Sequence, residues 1–448
     1  MSAGSPGRTP ARDSGRTSAA FRRRFTVRMI VVLTGGMFLD GYILGIVGPV
    51  SATIATDMHL NAFWEGLVAA GALFGILIGS PLGGWAADKY GRKPLFMIDM
   101  ALFVIASALQ FFVDSPTQLA VVRLLMGVAI GAEYSVGWPL LSEFAPARLR
   151  GRLMALTLVA WYAGFMVAFL IGFLLNRAGL DWRLILGTST VLALGLFLAR
   201  LGLPESPRWL WHAGRQEEAR RIAHRYMEHA EDMADVEQEE AHKGSFGTLF
   251  SPEYWRATLF VSMFWFCAVA PYFAIATFAD SMLQKYGLSG GLAGGVGLSA
   301  VALAAVVLTV LLIDRIGRRA LTVPPQWLCT AILAVIGLWA GAPPLVVLIL
   351  FLMFSFFNAM YTTLTGVYPS EVFPTEIRGI GTGFAAAVSR IGAGLGTFLL
   401  PVSMEGLGSG PTMLMAAGVA LFGAALSQWL APETKGKSLS ETATSVSH

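Results

Sequence analysis

Twelve stretches of roughly 20 residues carry almost no charge, the length an α-helix needs to cross about 30 Å of hydrocarbon at 1.5 Å per residue. They fall near residues 28–50, 64–87, 94–113, 117–141, 152–176 and 182–202, then 255–280, 291–313, 320–341, 344–368, 379–402 and 410–430. With 55% apolar and only 13% charged residues, and a mean hydropathy of +0.64, the 448 residues do not suit a soluble multidomain protein. The expected class is an all-α membrane protein. Its only cysteines, Cys267 and Cys329, both lie inside apolar runs, so a disulfide framework and a thiolate metal site are excluded.

Charge placement orients the chain. Arg8, Arg12, Arg16, Arg22, Arg23, Arg24 and Arg28 crowd the segment ahead of the first span. Lys89, Arg92, Lys93, Arg148, Arg150, Arg152, Arg315, Arg318 and Arg319 fall in alternate connections on that same side, whereas the other side holds chiefly Arg177, Arg183 and Lys285. The positive-inside rule puts this side, and both termini, in the cytoplasm. The expected organisation is a basic tail (1–27), a six-helix bundle (28–202), a cytoplasmic linker (203–254), a second six-helix bundle (255–430) and a tail (431–448). Within the linker, Glu217 through Glu240 read as a charged, helical segment on the cytoplasmic face.

An internal repeat is the strongest organisational signal. Ser142-Glu143-Phe144-Ala145-Pro146 to Arg150-Gly151 returns 228 residues on as Ser370-Glu371-Val372-Phe373-Pro374 to Arg378-Gly379, and Pro204-Glu205 returns at the same offset as Pro432-Glu433. Asp88-Lys89-Tyr90-Gly91-Arg92 pairs with Asp314-Arg315-Ile316-Gly317-Arg318, 226 residues on. Two six-helix halves in the same orientation follow.

These motifs resemble those of the major facilitator superfamily, in which parallel halves are related by an axis along the membrane normal. Gly84 to Lys93 is similar to its loop between helices 2 and 3, and Pro204-Glu205-Ser206-Pro207-Arg208-Trp209-Leu210 with Pro432-Glu433-Thr434-Lys435-Gly436 resembles the marks of sugar porters and their organic-ion relatives. Sugar porters place glutamines in helices 5 and 7 for sugar hydroxyls. Here helix 5 reads Val159-Ala160-Trp161-Tyr162-Ala163-Gly164 and helix 7 reads Met263-Phe264-Trp265-Phe266-Cys267-Ala268, without an amide. Phe38-Leu39-Asp40-Gly41-Tyr42, Gly131-Ala132-Glu133-Tyr134 and Ser389-Arg390-Ile391-Gly392 instead resemble proton-coupled aromatic-acid, nicotinate-type and organic-anion carriers. The second helix 1 aspartate common in those carriers is here Ile43.

Ionisable residues deep in a membrane are expensive and default to functional roles. Asp40 and Arg123 come out at similar depth, about 18 and 21 Å above the inner edge. As an ion pair they form either a protonatable switch or a static lock between helices 1 and 4. Arg390 comes out near the midplane of helix 11, about 17 Å in, where a guanidinium suits an anionic, bidentate partner. That partner is a substrate carboxylate or an internal acid, for which Asp280 and Glu133 are poorly matched in depth. Trp161, Tyr162, Trp265, Tyr272, Asn358 and Tyr361, with Phe264, are candidate walls of a substrate site. Glu133 falls nearer the cytoplasmic edge, a weaker proton carrier than Asp40 and better suited to gating or helix packing. Asp88, Arg92, Glu143 and Arg150, mirrored by Asp314, Arg318, Glu371 and Arg378, form clusters that hold the halves shut, and the resemblance adds Glu205 to this cytoplasmic gate.

No P-loop, dinucleotide fingerprint or zinc spacing occurs, so neither an enzyme nor a bound cofactor is expected, and the proton gradient supplies the energy. Basic residues at the membrane surface imply lipid and not nucleic acid. The expectation is a monomeric, proton-coupled symporter importing a small organic anion, an aromatic or other monocarboxylate. Its rivals are a sugar or polyol symporter and an exporter of the same fold. Short outer loops and the absence of an Asn-x-Ser/Thr acceptor point to a bacterial plasma membrane.

Overall fold

The computed structural model describes residues 19–144, 150–226, 246–287, 292–339, 341–373 and 375–434. Among them twelve helical spans are long and apolar enough to cross a membrane. They are α1 (Arg24–Asp57), α2 (Ala62–Tyr90), α3 (Arg92–Phe112), α4 (Pro116–Leu141), α5 (Leu153–Arg177) and α6 (Trp182–Arg200), then α7 (Trp255–Thr277), α8 (Gly294–Ile316), α9 (Arg318–Leu338), α10 (Pro344–Thr365), α11 (Ile377–Gly406) and α12 (Ser409–Leu430). The all-helical, twelve-span expectation holds.

Local chemistry explains the edges. Asn61 opens α2 by accepting a hydrogen bond from the Trp64 amide at 3.0 Å, and Asp181 opens α6 by accepting from Arg183 N at 2.7 Å. The α1 span is less regular than a single apolar run suggests. Its helix ends at Gly45 and resumes as a 3-10 turn at Gly48–Val50 and a helix at Ser51–Asp57, because Pro49 has no N–H to continue the ladder. In the linker, helices form at Pro207–His212 and Gln216–Tyr226; residues 227–245 lie outside the described residues, so the helical segment expected to run to Glu240 is described only as far as Tyr226. Arg22 Nη2 donates to His224 O at 2.9 Å and the Phe25 and Tyr226 rings lie 4.4 Å apart, which seats this helix against the start of α1.

Small residues set how closely the helices approach. Gly71, Gly75, Gly79 and Gly83 form a four-residue stripe on α2 facing α4; a methyl on Gly75 would strike the Leu124 carbonyl, and one on Gly127 the Ala72 carbonyl. Helices packed this tightly gain dispersion contacts that lipid tails do not match. The two halves meet along α2 with α11, α1 with α7, and α5 with α8. At the end remote from the arginine-rich segment, methyls on Gly66 and Gly295 would strike Phe398 O and the Phe169 ring, and one on Gly48 would come to 3.0 Å from Thr277 O. Toward the basic end, Gly379 and Gly383 of α11 have nothing within 4 Å. The halves are therefore packed more tightly at the distal end.

Candidate functional site

Buried charge enters the bundle on five spans, α1, α3, α4, α6 and α11. Asp40, on α1, is fully buried, and neither of its carboxylate oxygens accepts a hydrogen bond. The charged groups acting on it are, in falling order, Glu133, Arg200, Asp99 and Arg390. Arg390 reaches in from α11 in the other half. Its guanidinium carbon lies 5.7 Å from the centre of the Tyr134 ring, a cation–π contact between halves, and among the described residues Asp40 is the one carboxylate acting on it. No protein acceptor takes a hydrogen bond from this guanidinium among the described residues. Tyr134 is held flat against Trp138, with ring centres 5.4 Å apart and planes 3° from parallel.

Beside Asp40 lies a cluster that sequence reasoning missed. Arg200, wholly buried on α6, donates from Nη1 to Asp99 Oδ1 of α3 at 3.2 Å and to Phe96 O at 3.0 Å, and from Nη2 to Glu133 Oε1 of α4 at 2.5 Å. The Phe96 ring lies 3.6 Å from its guanidinium carbon. Arg200 is the last residue of its span, where charges ordinarily reach water, and so gave no signal, whereas Asp99, seven residues into α3, was within reach of counting along the helix. Glu133 is thus drawn into helix packing within one half, where its Oε1 is engaged and its Oε2 is not.

The expected Asp40–Arg123 pair does not form. Arg123 is fully buried, but its Nη1 donates to the Ile43 carbonyl at 2.9 Å, while Nε and Nη2 have no partner. Depth along a helix fixes height and not direction. Arg123 caps a carbonyl freed by the end of the first α1 helix at Gly45, one of the last four that lack intrahelical donors. Asp280 also stands apart from Arg390, since its Oδ1 accepts from Gly295 N at 3.1 Å.

The expected aromatic walls are present but largely engaged with one another. Across the halves, Trp161 meets Phe273 edge-on at 5.9 Å and Tyr162 lies 6.1 Å from Tyr272. Trp265 is buried on α7. Asn358 is not free to meet a ligand: its Nδ2 donates to Ala268 O at 3.0 Å and to the Tyr361 hydroxyl at 2.6 Å, and its Oδ1 accepts from Thr362 at 3.2 Å. Tyr361 packs against Phe264, which turns both residues into braces between α7 and α10.

At the basic end the repeat appears in three dimensions. Glu205 accepts from the Arg92 and Lys93 amides at 3.0 Å, and Glu433 accepts from those of Arg318 and Arg319 at 3.0 Å, so one glutamate caps the start of α3 and the other that of α9. Gly91 and Gly317 precede these helices with φ of 105° and 104°, a backbone that favours glycine. In the second half Arg318 bridges Asp314 at 3.2 Å and Glu371 at 2.9 Å, and Thr434 hydrogen-bonds Glu371. Arg378 donates to Phe373 O at 3.2 Å, and the Asp88 carbonyl accepts from Trp209 Nε1 at 2.9 Å. The side chains of Glu143 and Arg150 lie outside the described residues. A lock between halves is expected from the sequence, yet each of these bonds runs within a half, because Glu205 and Glu433 each cap the helix start next to them.

Comparison with known proteins follows the same outline. The sugar (and other) transporter family model matches residues 28–445. YgcS of Escherichia coli (strain K12), an inner membrane metabolite transport protein, is 37% identical over 413 residues, covering 92% of each chain. The major myo-inositol transporter IolT of Bacillus subtilis (strain 168) is 26% identical over 93% of each chain. Among solved structures, the major facilitator superfamily proton:xylose symporter XylE bound to 6-bromo-6-deoxy-D-glucose aligns with a TM-score of 0.76 at 21% identity, covering 94% of this chain and 99% of that one, a likeness of fold. The narrower resemblance to aromatic-acid and nicotinate-type carriers finds no support in these relatives.

Proposed function

The chain belongs to the sugar (and other) transporter family, and from that premise we propose that it is a proton-coupled symporter importing a small organic anion across a bacterial inner membrane, its basic end in the cytoplasm. The observation that carries this reading is the guanidinium of Arg390: buried, hydrogen-bonded to no protein acceptor among the described residues, and within electrostatic reach of the unbonded Asp40 carboxylate without forming an ion pair with it. A largely buried guanidinium without a protein acceptor calls for a planar anion offering two acceptors, which a substrate carboxylate supplies. Trp161, Tyr162, Trp265 and Tyr272 provide apolar surface for the rest of the molecule.

Coupling follows from competition. With Asp40 ionised, Arg390 has an internal counter-charge; with Asp40 protonated, it is available to an anion. A proton and an anion thus favour the same state, and the halves then rock about the site, opening it to alternate sides. The distal end, where the halves pack tightly, corresponds to the closed outer side.

A sugar or polyol remains the second reading, because IolT is named for myo-inositol and XylE for xylose. Against it, the one amide of this region among the candidate wall residues, Asn358, is already fully bonded. A thermal-shift screen of carboxylates, sugars and amines on the purified protein, followed by uptake into proteoliposomes with an imposed pH difference, decides between them, since ligands of the folded state raise its apparent stability. Stabilisation by carboxylates alone supports the anion reading, and stabilisation by neutral polyols alone replaces it.

A further inference from the structure

Gly36 lies four residues before Asp40 and so shares its face of α1, one turn (about 6 Å) nearer the basic end. A methyl on Gly36 would strike Glu133 Oε1 and lie 2.7 Å from Arg200 Nη2, so the Glu133–Arg200 pair is seated directly on the α1 backbone beneath Asp40. The groups facing this spot are Asp40 on α1, Asp99 on α3, Glu133 and Tyr134 on α4, Arg200 on α6 and, from the other half, Arg390 on α11. That is three carboxylates against two guanidiniums. Buried charge without a counter-charge is strongly disfavoured, so the cluster balances when it holds one proton.

Two of the possible seats for that proton are chemically equivalent in overall charge. If it is on Asp40, Arg200 serves both Glu133 and Asp99 while Arg390 is free. If it is on Glu133, Arg200 keeps Asp99 and the ionised Asp40 faces Arg390. Each acid has an oxygen to receive it, because both Asp40 oxygens and Glu133 Oε2 are buried and unbonded.

We propose that Glu133 is the second seat of the transported proton, receiving it from Asp40 on the way to the basic end, with Arg200 and Asp99 as the positioning pair that keeps Glu133 balanced in both states. In the step, the O–H bond of the Asp40 carboxyl breaks and an O–H bond forms at Glu133 Oε2; no other group changes. The restored Asp40 carboxylate then competes with the bound anion for Arg390, so moving the proton inward releases the substrate. The inference rests on the proposed proton coupling at Asp40 and adds where the proton goes next.

The test needs no substrate. Wild-type protein labelled with 13C at the aspartate and glutamate carboxyl carbons is placed in liposomes, and solid-state NMR follows protonation across the pH range in which the fold persists. Asp40→Asn and Glu133→Gln assign the two signals; should Glu133→Gln fail to fold, Glu133→Asp moves that signal into the aspartate region instead. The expected result is that Asp40 and Glu133 both carry part of one proton at neutral pH, and that Arg390→Gln, which leaves one guanidinium against three carboxylates, keeps Asp40 fully protonated and draws a second proton into the cluster. If Glu133 stays ionised while Asp40 titrates, the relay is wrong and coupling at Asp40 stands. If Asp40 never binds a proton, whether or not Glu133 does, the relay and the proposed coupling at Asp40 both fall.

Discussion

Arg390 on α11 and Tyr134 on α4 face one another across the two halves, with the guanidinium carbon 5.7 Å from the ring centre. The contact joins the second half to the residue next to Glu133, so the proposed anion site and the buried acid cluster are neighbours by construction. Movement of one half against the other must change this distance, which makes the pair a reporter of conformation.

Replacing Arg390 by alanine should abolish binding of the carboxylate identified by screening, and lysine should restore it only weakly, since an ammonium lacks the planar fork. Loss of a desolvated, hydrogen-bonded charge partner costs about 2–5 kcal/mol, at least thirty-fold in affinity. Calorimetry on folded variants measures this. Unchanged affinity in Arg390→Ala, or a neutral substrate, moves the sugar or polyol reading ahead.

Asp40→Asn should abolish accumulation driven by a pH difference while sparing exchange of preloaded substrate, because the asparagine mimics the protonated acid in every state. Uptake and counterflow in the same proteoliposomes separate the two activities. A variant that still concentrates substrate when the outside is acidified would rule Asp40 out as the proton carrier.

The matching glycines at the basic end offer a structural test of the repeat. Gly91→Ala and Gly317→Ala each force a Cβ into a positive-φ extended backbone that is essentially glycine-only, at about 1–3 kcal/mol, and push it to within 2.6 Å of Glu205 Oε2 or 2.8 Å of Glu433 Oε2. Both substitutions should lower the thermal midpoint, and by similar amounts, because the two caps are built alike. Neutralising Glu205 or Glu433 to glutamine should have the same sign with a smaller size, since the amide oxygen still accepts from the backbone.

The fold was legible because hydrophobic run length is a direct physical requirement of the bilayer, and the repeat because like motifs recur at a constant offset. The site was legible only in part. Asp40 and Arg390 announced themselves as charges in the middle of apolar runs, whereas Arg200 resembled an ordinary span-end charge and its link to Asp99, seven residues into α3, became visible only when three helices brought the cluster together. Arg123 failed in the opposite way: its depth matched Asp40, but its direction was set by the Ile43 carbonyl exposed where α1 breaks, and a break of that kind depends on how Pro49 is accommodated in three dimensions. Asn358 and Tyr361 show a further gap, since composition cannot tell a polar residue that greets a ligand from one already consumed by the Ala268 carbonyl.

Arg200 gives the sharpest test of the acid cluster as a folding element. Arg200→Gln leaves Asp99 and Glu133 buried and facing each other without a cation, and breaking a buried charge network by removing one partner costs about 3–5 kcal/mol. A large fall in thermal midpoint is therefore expected, against the small change typical of surface arginines such as Arg220, which is largely solvated. Adding Glu133→Gln to Arg200→Gln removes one of the stranded carboxylates and should recover part of the loss, so the double variant is more stable than the arginine variant alone. The two effects are non-additive because the residues share one network. Thermal unfolding of the four proteins in detergent completes the cycle. Simple additivity of the two substitutions would mean that Glu133 and Arg200 do not depend on one another, and the 2.5 Å contact between them would then carry no energetic weight.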